Sequence, residues 1–139
     1  MSITNNLKVV NLPAGEDFNG ARYCTVRIDS NGRARTATAA TQVVVGVVAE
    51  DPKRTTASDG SDEVAVAMIG GSALGLVKIG ATVTAGQILV GAADGEAAGV
   101  ADSGSLAVDS QGFGVALRGG GDGDVILFAP RHVGAAHTI

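Results

Sequence analysis

Two aspartates stand among four glycines in the segment Gly119–Asp124. Closely spaced carboxylates in a flexible loop are how proteins hold hard cations such as calcium. The spacing here does not fit, because a glycine-rich calcium repeat that begins at Gly120 needs an aspartate where Val125 stands. Such repeats also occur in series, whereas this segment occurs once. We therefore interpret it as a flexible turn, with an ion site as the alternative.

Glycine-rich segments can also form phosphate-binding loops. Gly70–Gly75 has the two outer glycines of a P-loop, but Leu76 and Val77 stand where lysine and serine or threonine must contact phosphate and magnesium. The segment Gly112–Gly114 lacks the third glycine of a dinucleotide motif, since Leu117 occupies its place. The sequence therefore predicts no nucleotide cofactor.

Acidic pairs, histidines and the single cysteine are the remaining candidates for catalysis or metal binding. His132 and His137 follow Pro130 at a spacing that neither a helix nor a strand would direct at one ion, so we predict a solvated tail. Cys24 excludes an internal disulfide and is interpreted as a small apolar residue of a strand. Three acidic pairs border predicted loops and are expected to be solvated: Glu16-Asp17, Glu50-Asp51 and Asp62-Glu63. We predict no catalytic, cofactor or metal site and no enzymatic activity.

Composition excludes several classes of protein. The 139 residues suffice for one domain, and 21 glycines spread along the chain disfavour long helices. A net charge of −4 and 3% aromatic residues argue against a nucleic-acid partner. The longest uncharged run, Ile79–Ala93, is broken by glycines and is too short to cross a membrane. The first six residues do not resemble a secretory signal, so we expect the protein to stay where it is made.

Runs of β-branched residues alternate with turn-forming residues along most of the chain, which is typical of an all-β fold. Tight turns are predicted at Asn31-Gly32 and Asp94-Gly95, and Gly91–Ala101 is interpreted as a hairpin arm rather than a helix. Two segments are expected to be loops, Asp51–Asp62 and Arg118–Gly123. The predicted strands are Leu7–Leu12, Arg22–Asp29, Gln42–Ala49, Glu63–Ile69, Gln87–Val90, Gly112–Leu117 and Asp124–Phe128.

The two halves of the chain share one order of motifs, which indicates an internal repeat. Chance matches in a chain rich in glycine, alanine and valine are the alternative. The aligned pairs are Leu7–Leu12 with Leu74–Ile79, Gly20 with Gly86, Asp29 with Asp94, Gly46–Ala49 with Gly114–Leu117, and Asp62–Val64 with Gly123–Val125. The repeat predicts a small all-β sandwich or barrel-like domain with little or no helix, built from two similar β-meander halves at about 7–70 and 74–129. In this division residues 1–12 form an N-terminal arm and first strand, 13–130 the domain, and 131–139 a C-terminal tail.

The chain carries more apolar character than one small core can bury. Mean hydropathy is +0.28, yet only 17% of the residues are charged. Apolar surface that a small domain cannot cover is commonly buried against partners, so we expect the chain to associate with itself or with a larger assembly. Arg33 and Arg35 alternate along one predicted strand and share a face, which favours a salt-bridged or partner-facing pair.

The order and spacing of several motifs resemble those of the capsid cement, or head decoration, proteins of tailed phages. The resemblance covers most of residues 7–129, and the loop at 51–62 and the histidine-containing tail depart from it. It depends on Pro13–Asp17 followed by Tyr23–Val26, on Asp29–Arg33, Val45–Val48, Val64–Val66, Thr84–Gln87 and Ala93–Gly95, and on Gly114–Leu117 with Gly123–Leu127.

The resemblance implies a small all-β virion protein, often a trimer, that is made in the host cytoplasm and binds the outside of an assembled icosahedral shell. Its partners would be the major capsid protein and further copies of itself, and its role would be to stabilise the shell. A polar leader before an apolar strand can order on docking and add to a neighbouring sheet edge, so we expect the N-terminal arm to face the capsid. The predicted interface residues are Ile3, Leu7, Val9, Val10, Leu12, Arg33 and Arg35.

Two other functions remain open at this stage. One is a virion-displayed module that binds a host surface or a glycan, which would need an aromatic platform beside polar groups. Only four residues could supply that platform: Phe18, Tyr23, Phe113 and Phe128. The other is an enzyme of unknown type, against which the absence of a recognisable nucleophile and base counts.

Overall fold

Two five-stranded antiparallel sheets make up the computed structural model of the chain, which describes residues 7–49, 59–70 and 73–134. The first sheet contains β1 (Lys8–Pro13), β2 (Thr25–Ile28), β3 (Ala34–Thr36), β4 (Gly46–Val48) and β5 (Glu63–Met68). The second sheet contains β6 (Gly75–Lys78), β7 (Ile88–Gly91), β8 (Ala97–Val100), β9 (Gln111–Ala116) and β10 (Val125–Gly134). Two 3₁₀ turns, Ala93–Gly95 and Ser103–Ser105, are the only helical segments in the described ranges. The all-β prediction with little helix is confirmed.

Both sheets have the same topology. The strand order is β1-β5-β4-β2-β3 in the first sheet and β6-β10-β9-β7-β8 in the second, so each strand has a counterpart at the same place in the other sheet. A parallel bridge joins Ala14 to Ala34, and an equivalent bridge joins Ile79 to Ala97. Each bridge brings the first and third strands of a sheet together, so each half curls into a barrel-like unit. The fold therefore consists of two similar halves, as the repeat predicts.

Hydrogen-bond register defines which residues of the two halves are equivalent. Gly46 pairs with Val26 and Met68, and Gly114 pairs with Leu89 and Pro130, which confirms the predicted match of the two glycines. A Cβ at either glycine would collide with the backbone of the next strand. Both positions therefore need glycine for the same reason, the close approach of the neighbouring strand.

Elsewhere the register corrects the predicted alignment by a few residues. Gly86 is equivalent to Tyr23 rather than to Gly20. The Tyr23 N–H donates to the carbonyl of Val48 on β4, and the Gly86 N–H donates to the carbonyl of Ala116 at the same place on β9. Tyr23 and Gly86 also share a left-handed backbone, with φ of 64° and 92°. A tyrosine in this conformation is uncommon, which is why the sequence comparison matched glycine with glycine.

The first strands and the hairpin turns shift in the same way. Leu12 is equivalent to Val77 and not to Ile79. Leu12 pairs with Val64, and Val77 pairs with Ile126, which occupies the same place in the second sheet as Val64 does in the first. In the turns, Asn31-Gly32 is the counterpart of Asp94-Gly95, so Asp29 does not align with Asp94. Gly32 and Gly95 have φ of 76° and 74°. The positive φ that both hairpin turns require explains the two predicted turn motifs.

Buried side chains form two clusters. One lies within the first sheet and contains Ala14, Phe18, Cys24, Val26, Ala34, Val48, Val64 and Val66. The other lies within the second sheet, around Phe113 and Phe128, whose rings meet edge to face with centroids 5.5 Å apart. The second cluster also takes in residues from the opposite side of the first sheet, namely Leu7, Ala37, Val44, Val47 and Ala67. Through these residues the two halves share one core.

The last strand continues into the segment that we assigned to a C-terminal tail. β10 runs to Gly134 and carries His132 on an exposed part of the strand, while residues 135–139, including His137, lie outside the described residues. The pairing of β10 with β9 is irregular between Pro130 and Val133. Proline lacks an N–H, and a bulge tolerates this inside a strand. In the described ranges, no helix has the length and apolar character to cross a membrane.

Candidate partner-binding surfaces

Among the residues that the structure describes, β1 forms one edge of the first sheet and pairs only with β5. Val9 is 54% exposed on this strand, whereas Val10 and Leu12 are half-buried and Leu12 packs against the inner cluster of the first sheet. An edge strand offers unpaired backbone N–H and C=O groups to another chain. Three of the predicted interface residues therefore lie on a strand that can accept a partner strand.

Leu7 does not belong to this free edge, which corrects the prediction. Its side chain is 5% exposed and lies in the core that the two halves share. A Cβ at Gly75 would lie 2.7 Å from Leu7 Cδ1 and 2.8 Å from Phe128 Cε1, so glycine makes room there for the leucine. Leu7 fastens the start of β1 to the second sheet. Ile3 lies outside the described residues.

The hairpin of β2 and β3 holds the two predicted arginines. Arg35 Nε lies 2.9 Å from Asp29 Oδ2, so Arg35 forms an ion pair within its own hairpin. Asp29 Oδ1 accepts the backbone N–H of Asn31 and of Arg33, each at 2.9 Å. The Arg33 N–H and then the Arg35 side chain hold the pKa of Asp29 below its ordinary value. Arg33 does not pair with Asp29 through its side chain; its Nε lies beside Gly60.

Arg27 is a further member of this group that the sequence analysis missed. It lies directly opposite Arg35 in the β2–β3 register. Among the described residues, its Nε is the one buried side-chain nitrogen or oxygen atom without a hydrogen-bond partner. Like charges in opposite positions repel each other unless an anion lies between them. A two-residue turn at Asn31-Gly32 would place Arg27 opposite Thr36, so the predicted turn does not reveal the pair. The observed hairpin is centred on Asn31 and places Arg27 opposite Arg35.

An acidic pocket of about 330 Å³ lies where the two halves meet. Its carboxylates belong to Glu16, Asp17, Asp94 and Glu96, and Lys78 and Cys24 also line it. Glu16 Oε1 accepts the Thr36 N–H at 2.6 Å. Burial raises the pKa of the Cys24 thiol above its ordinary value, which keeps the thiol protonated and a poor nucleophile at neutral pH. In the described part of the chain, no three His, Cys, Asp or Glu side chains are grouped so that they could hold a metal ion.

The glycine-rich segment Gly119–Asp124 forms a turn that its own aspartate stabilises. Asp124 Oδ2 accepts the Gly121 N–H at 2.8 Å, and Gly120 is bridged to Val83. Asp122 is exposed. One of the two carboxylates therefore already serves the turn, as the turn interpretation expects.

An apolar groove of about 390 Å³ runs over β6 and β10 of the second sheet, with Arg118 at its rim. Leu76, Val125 and Leu127 line it, and Val125 is 42% exposed. Leu117, next to the groove, is 43% exposed. The sequence analysis missed this surface because its residues come from strands that are distant in the chain, and only their pairing brings them together.

All four aromatic side chains of the protein are buried. Phe18 and Phe128 are 0% exposed, Phe113 is 2% and Tyr23 is 8% exposed. The Arg22 guanidinium lies over the Tyr23 ring, 4.8 Å from its centroid. None of the four rings is therefore free to serve as a platform for a sugar.

Comparison with known proteins finds likeness in structure. No protein-family model and no curated protein sequence matches the chain. The fold is similar to the crystal structure of the N base of head fiber gp8.5 in bacteriophage phi29, with a TM-score of 0.63 and 16% sequence identity. The similarity covers 94% of this chain and 99% of that one. At this identity the likeness shows a shared fold.

Proposed function

We propose that this chain is a structural protein of a phage head, which binds the exterior of the assembled capsid and stabilises it without converting a substrate. The observation that carries the proposal is the shared fold with the base of a phage head fiber, which extends over 94% of the chain. The cement-protein motifs described above support the same class of protein.

The edge strand β1 is the contact that we propose for the major capsid protein. Within the described ranges its outer edge has no strand partner, and Val9 is exposed on it. A capsid strand that pairs with this edge would gain main-chain hydrogen bonds along Lys8–Pro13, as in other cases of strand addition. Residues 1–6 precede this edge, so in this proposal the segment with Ile3 extends the same contact.

The Arg27–Arg35 pair supplies a second element of the proposed capsid contact. The two arginines lie opposite each other, and Asp29 neutralises only one of them through a direct ion pair. A carboxylate of a capsid subunit beside the Arg27 guanidinium would relieve this repulsion. Arg33, on the same hairpin, would widen the basic surface.

Stabilisation of the shell follows from linkage. A ligand that binds only the assembled shell lowers its free energy by about 2.7 kcal/mol per site when the free concentration is a hundred times Kd. If the protein is a trimer, as the cement-protein resemblance implies, three linked contacts would raise the apparent affinity further.

Binding to a glycan or host surface is the alternative, and the burial of the aromatic residues counts against it. All four rings lie inside the protein or under Arg22, so a sugar would find no exposed ring on which to stack. Co-sedimentation of the protein with host envelopes provides the comparison arm for the experiment below.

Co-sedimentation with empty expanded shells of the major capsid protein encoded in the same genome tests the proposal. We expect saturable binding to the shells, no binding to host envelopes, and shells that resist higher temperature when loaded. Deletion of residues 2–6 and the exchange Arg27→Ala should each lower occupancy, whereas Val108→Asp, at an exposed loop position outside these contacts, should leave it unchanged. Shells that take up no protein, or that gain no heat resistance from it, would refute the proposed function.

A further inference from the structure

The contact between the two halves has two different sides. One side is the face of the first sheet that carries Ala37 and Val44 into the shared core. The other side is an end of the second sheet where glycines allow close approach. A Cβ at Gly91 would lie 3.1 Å from Ala37 Cβ and 3.6 Å from Val44 Cγ2, and a Cβ at Gly95 would lie 2.9 Å from Thr36 Cβ. Because the halves are equivalent, each side has a counterpart in the half where it is not used.

The counterpart of the first side is the outer face of the second sheet. Val47 and Ala67, which are fully buried between the halves, are equivalent to Val115 and Ala129, since each pair lies in the same register of its two central strands. Val115 and Ala129 are only half-buried. Alternation along β10 places Leu127 and Val125 on the same face as Ala129. We call this surface, with Leu76 and Leu117, the outer face.

Two positions show that the outer face is more apolar than the fold requires. Val125 is equivalent to Glu63, and Leu76 is equivalent to Asn11, by their places in the strand pairing. Glu63 and Asn11 are exposed in the first half. The same place in the same fold therefore accepts polar side chains, yet the second half has valine and leucine there and forms the groove of about 390 Å³. Such apolar surface indicates a partner.

The counterpart of the second side is the open end of the first sheet. Gly91 is equivalent to Ile28 and Gly75 to Val10, because each pair occupies the same place in the β2–β3 or β1–β5 register. Ile28 is 42% exposed, and Val43, shortly before β4, is 53% exposed. Where the second sheet has glycines that admit the neighbouring half, the first sheet thus has projecting apolar side chains. We call Val10, Ile28 and Val43 the open end.

Exposure is concentrated on these two surfaces. Six large apolar side chains are strongly exposed in the described ranges, and four of them belong to the outer face or the open end: Leu117, Val125, Ile28 and Val43. One surface contains a groove, and the other has exposed apolar side chains. In the described part of the chain neither surface is covered by the other half, and each corresponds to one side of a contact that the chain already makes.

We propose that copies of this chain associate head to tail, with the outer face of one copy packed against the open end of the next. The occupant of the groove is therefore a second copy of this protein. A contact between two different surfaces repeats from copy to copy, so it must either close into a ring or continue as an open chain. This inference concerns the protein in solution and is tested there without the capsid, although Val10 of the open end also lies on β1, the proposed capsid contact.

Two double variants and a control test the proposal by sedimentation velocity over a series of concentrations. The outer-face variant, Leu76→Asn with Val125→Glu, takes the residues that the first half has at the same places. The open-end variant, Ile28→Ser with Val43→Ser, changes exposed side chains only. The control is Val108→Asp, which is 76% exposed in a loop outside both surfaces. Circular dichroism and thermal melting check that all variants fold.

Mixing the two double variants distinguishes a head-to-tail contact from a symmetric one. We expect the wild type and the control to self-associate, and each double variant to do so at least about tenfold more weakly. An equimolar mixture of the double variants should form dimers and nothing larger, because one intact outer face and one intact open end remain in it. A monomeric wild type, an open-end variant that associates normally, or a mixture without dimers would overturn the proposal. An outer-face variant that loses shell binding but keeps self-association would assign the groove to the capsid instead.

Discussion

The two halves of the protein have the same strand order but differ in what covers them. The first sheet is covered on both sides: Phe18 and its neighbours fill its inner side, and the second sheet packs against Val47 and Ala67 on the other. The second sheet has a filled inner side, but its outer face is only partly covered. Equivalent strands thus share the buried residues with which each half closes around its inner cluster, whereas the surface residues of the two halves differ.

The largest difference is expected where the two inner clusters have equivalent residues of different size. Val66 and Phe128 occupy the same place, and both are 0% exposed. Phe128→Ala should lower the free energy of unfolding by about 4 kcal/mol, because it also removes packing from the core that both halves share. Val66→Ala, whose residue belongs to the cluster of the first half alone, should lower it by about 2 kcal/mol. Urea denaturation of the three proteins measures both values.

Equal losses for these two variants would contradict the description of the Phe128 cluster as the shared core. The slope of the urea dependence should remain the same in all three proteins, since the halves then unfold together. Two separate transitions in either variant would mean that the halves unfold independently.

The hairpin turns provide a second matched pair. Gly32 and Gly95 both have positive φ, but a Cβ at Gly32 would meet nothing within 4 Å, whereas at Gly95 it would lie 2.9 Å from Thr36 Cβ and 3.1 Å from Cys24 Cβ. Gly32→Ala should cost about 1 kcal/mol from backbone strain alone. Gly95→Ala should cost about 2 to 3 kcal/mol, because it also pushes the halves apart. Thermal unfolding followed by circular dichroism ranks the two, and the opposite rank would contradict this packing.

The smallest effect is expected at Asp29, whose counterpart in the second half is Ala92. The pKa of Asp29 is lowered from 3.8 in the folded protein, so its ionised form contributes stability above that value and loses it as pH falls through the folded pKa. Asp29→Ala should therefore lower the free energy of unfolding slightly at neutral pH. The variant should also lose less of that free energy than the wild type as the pH falls. Urea midpoints of variant and wild type should converge as the pH is lowered; a gap that stays constant would exclude Asp29 as the cause.

Much of the fold could be predicted from local signals. The turns at Asn31-Gly32 and Asp94-Gly95 have the residues that positive φ requires, and the match of Gly46 with Gly114 reflects the same close approach of strands. The alignment failed at Tyr23, where a bulky residue adopts a conformation that glycine normally supplies. Long-range hydrogen bonds to Val48 and Lys78 hold Tyr23 in this backbone conformation, and a local sequence pattern cannot show them.

The binding surfaces were harder to predict because they depend on long-range pairing. Leu7 was expected in an interface because it begins an apolar strand, but the glycine at position 75 opens a place for it in the core. β10 continues beyond Pro130 because a bulge accommodates the proline, a feature that the sequence does not show. The groove beside Leu76 and Val125 exists only once β6 and β10 are paired.

The central claim is that this protein belongs to the exterior of a phage head. Cryo-electron microscopy of purified virions, compared with virions from a strain in which the gene is deleted, tests it most directly. The account predicts density of this two-sheet fold on the outer surface of the head, in contact with the major capsid protein, that is missing from the deletion strain. Identical heads in the two samples, or density for the chain anywhere other than the outer surface, would contradict it.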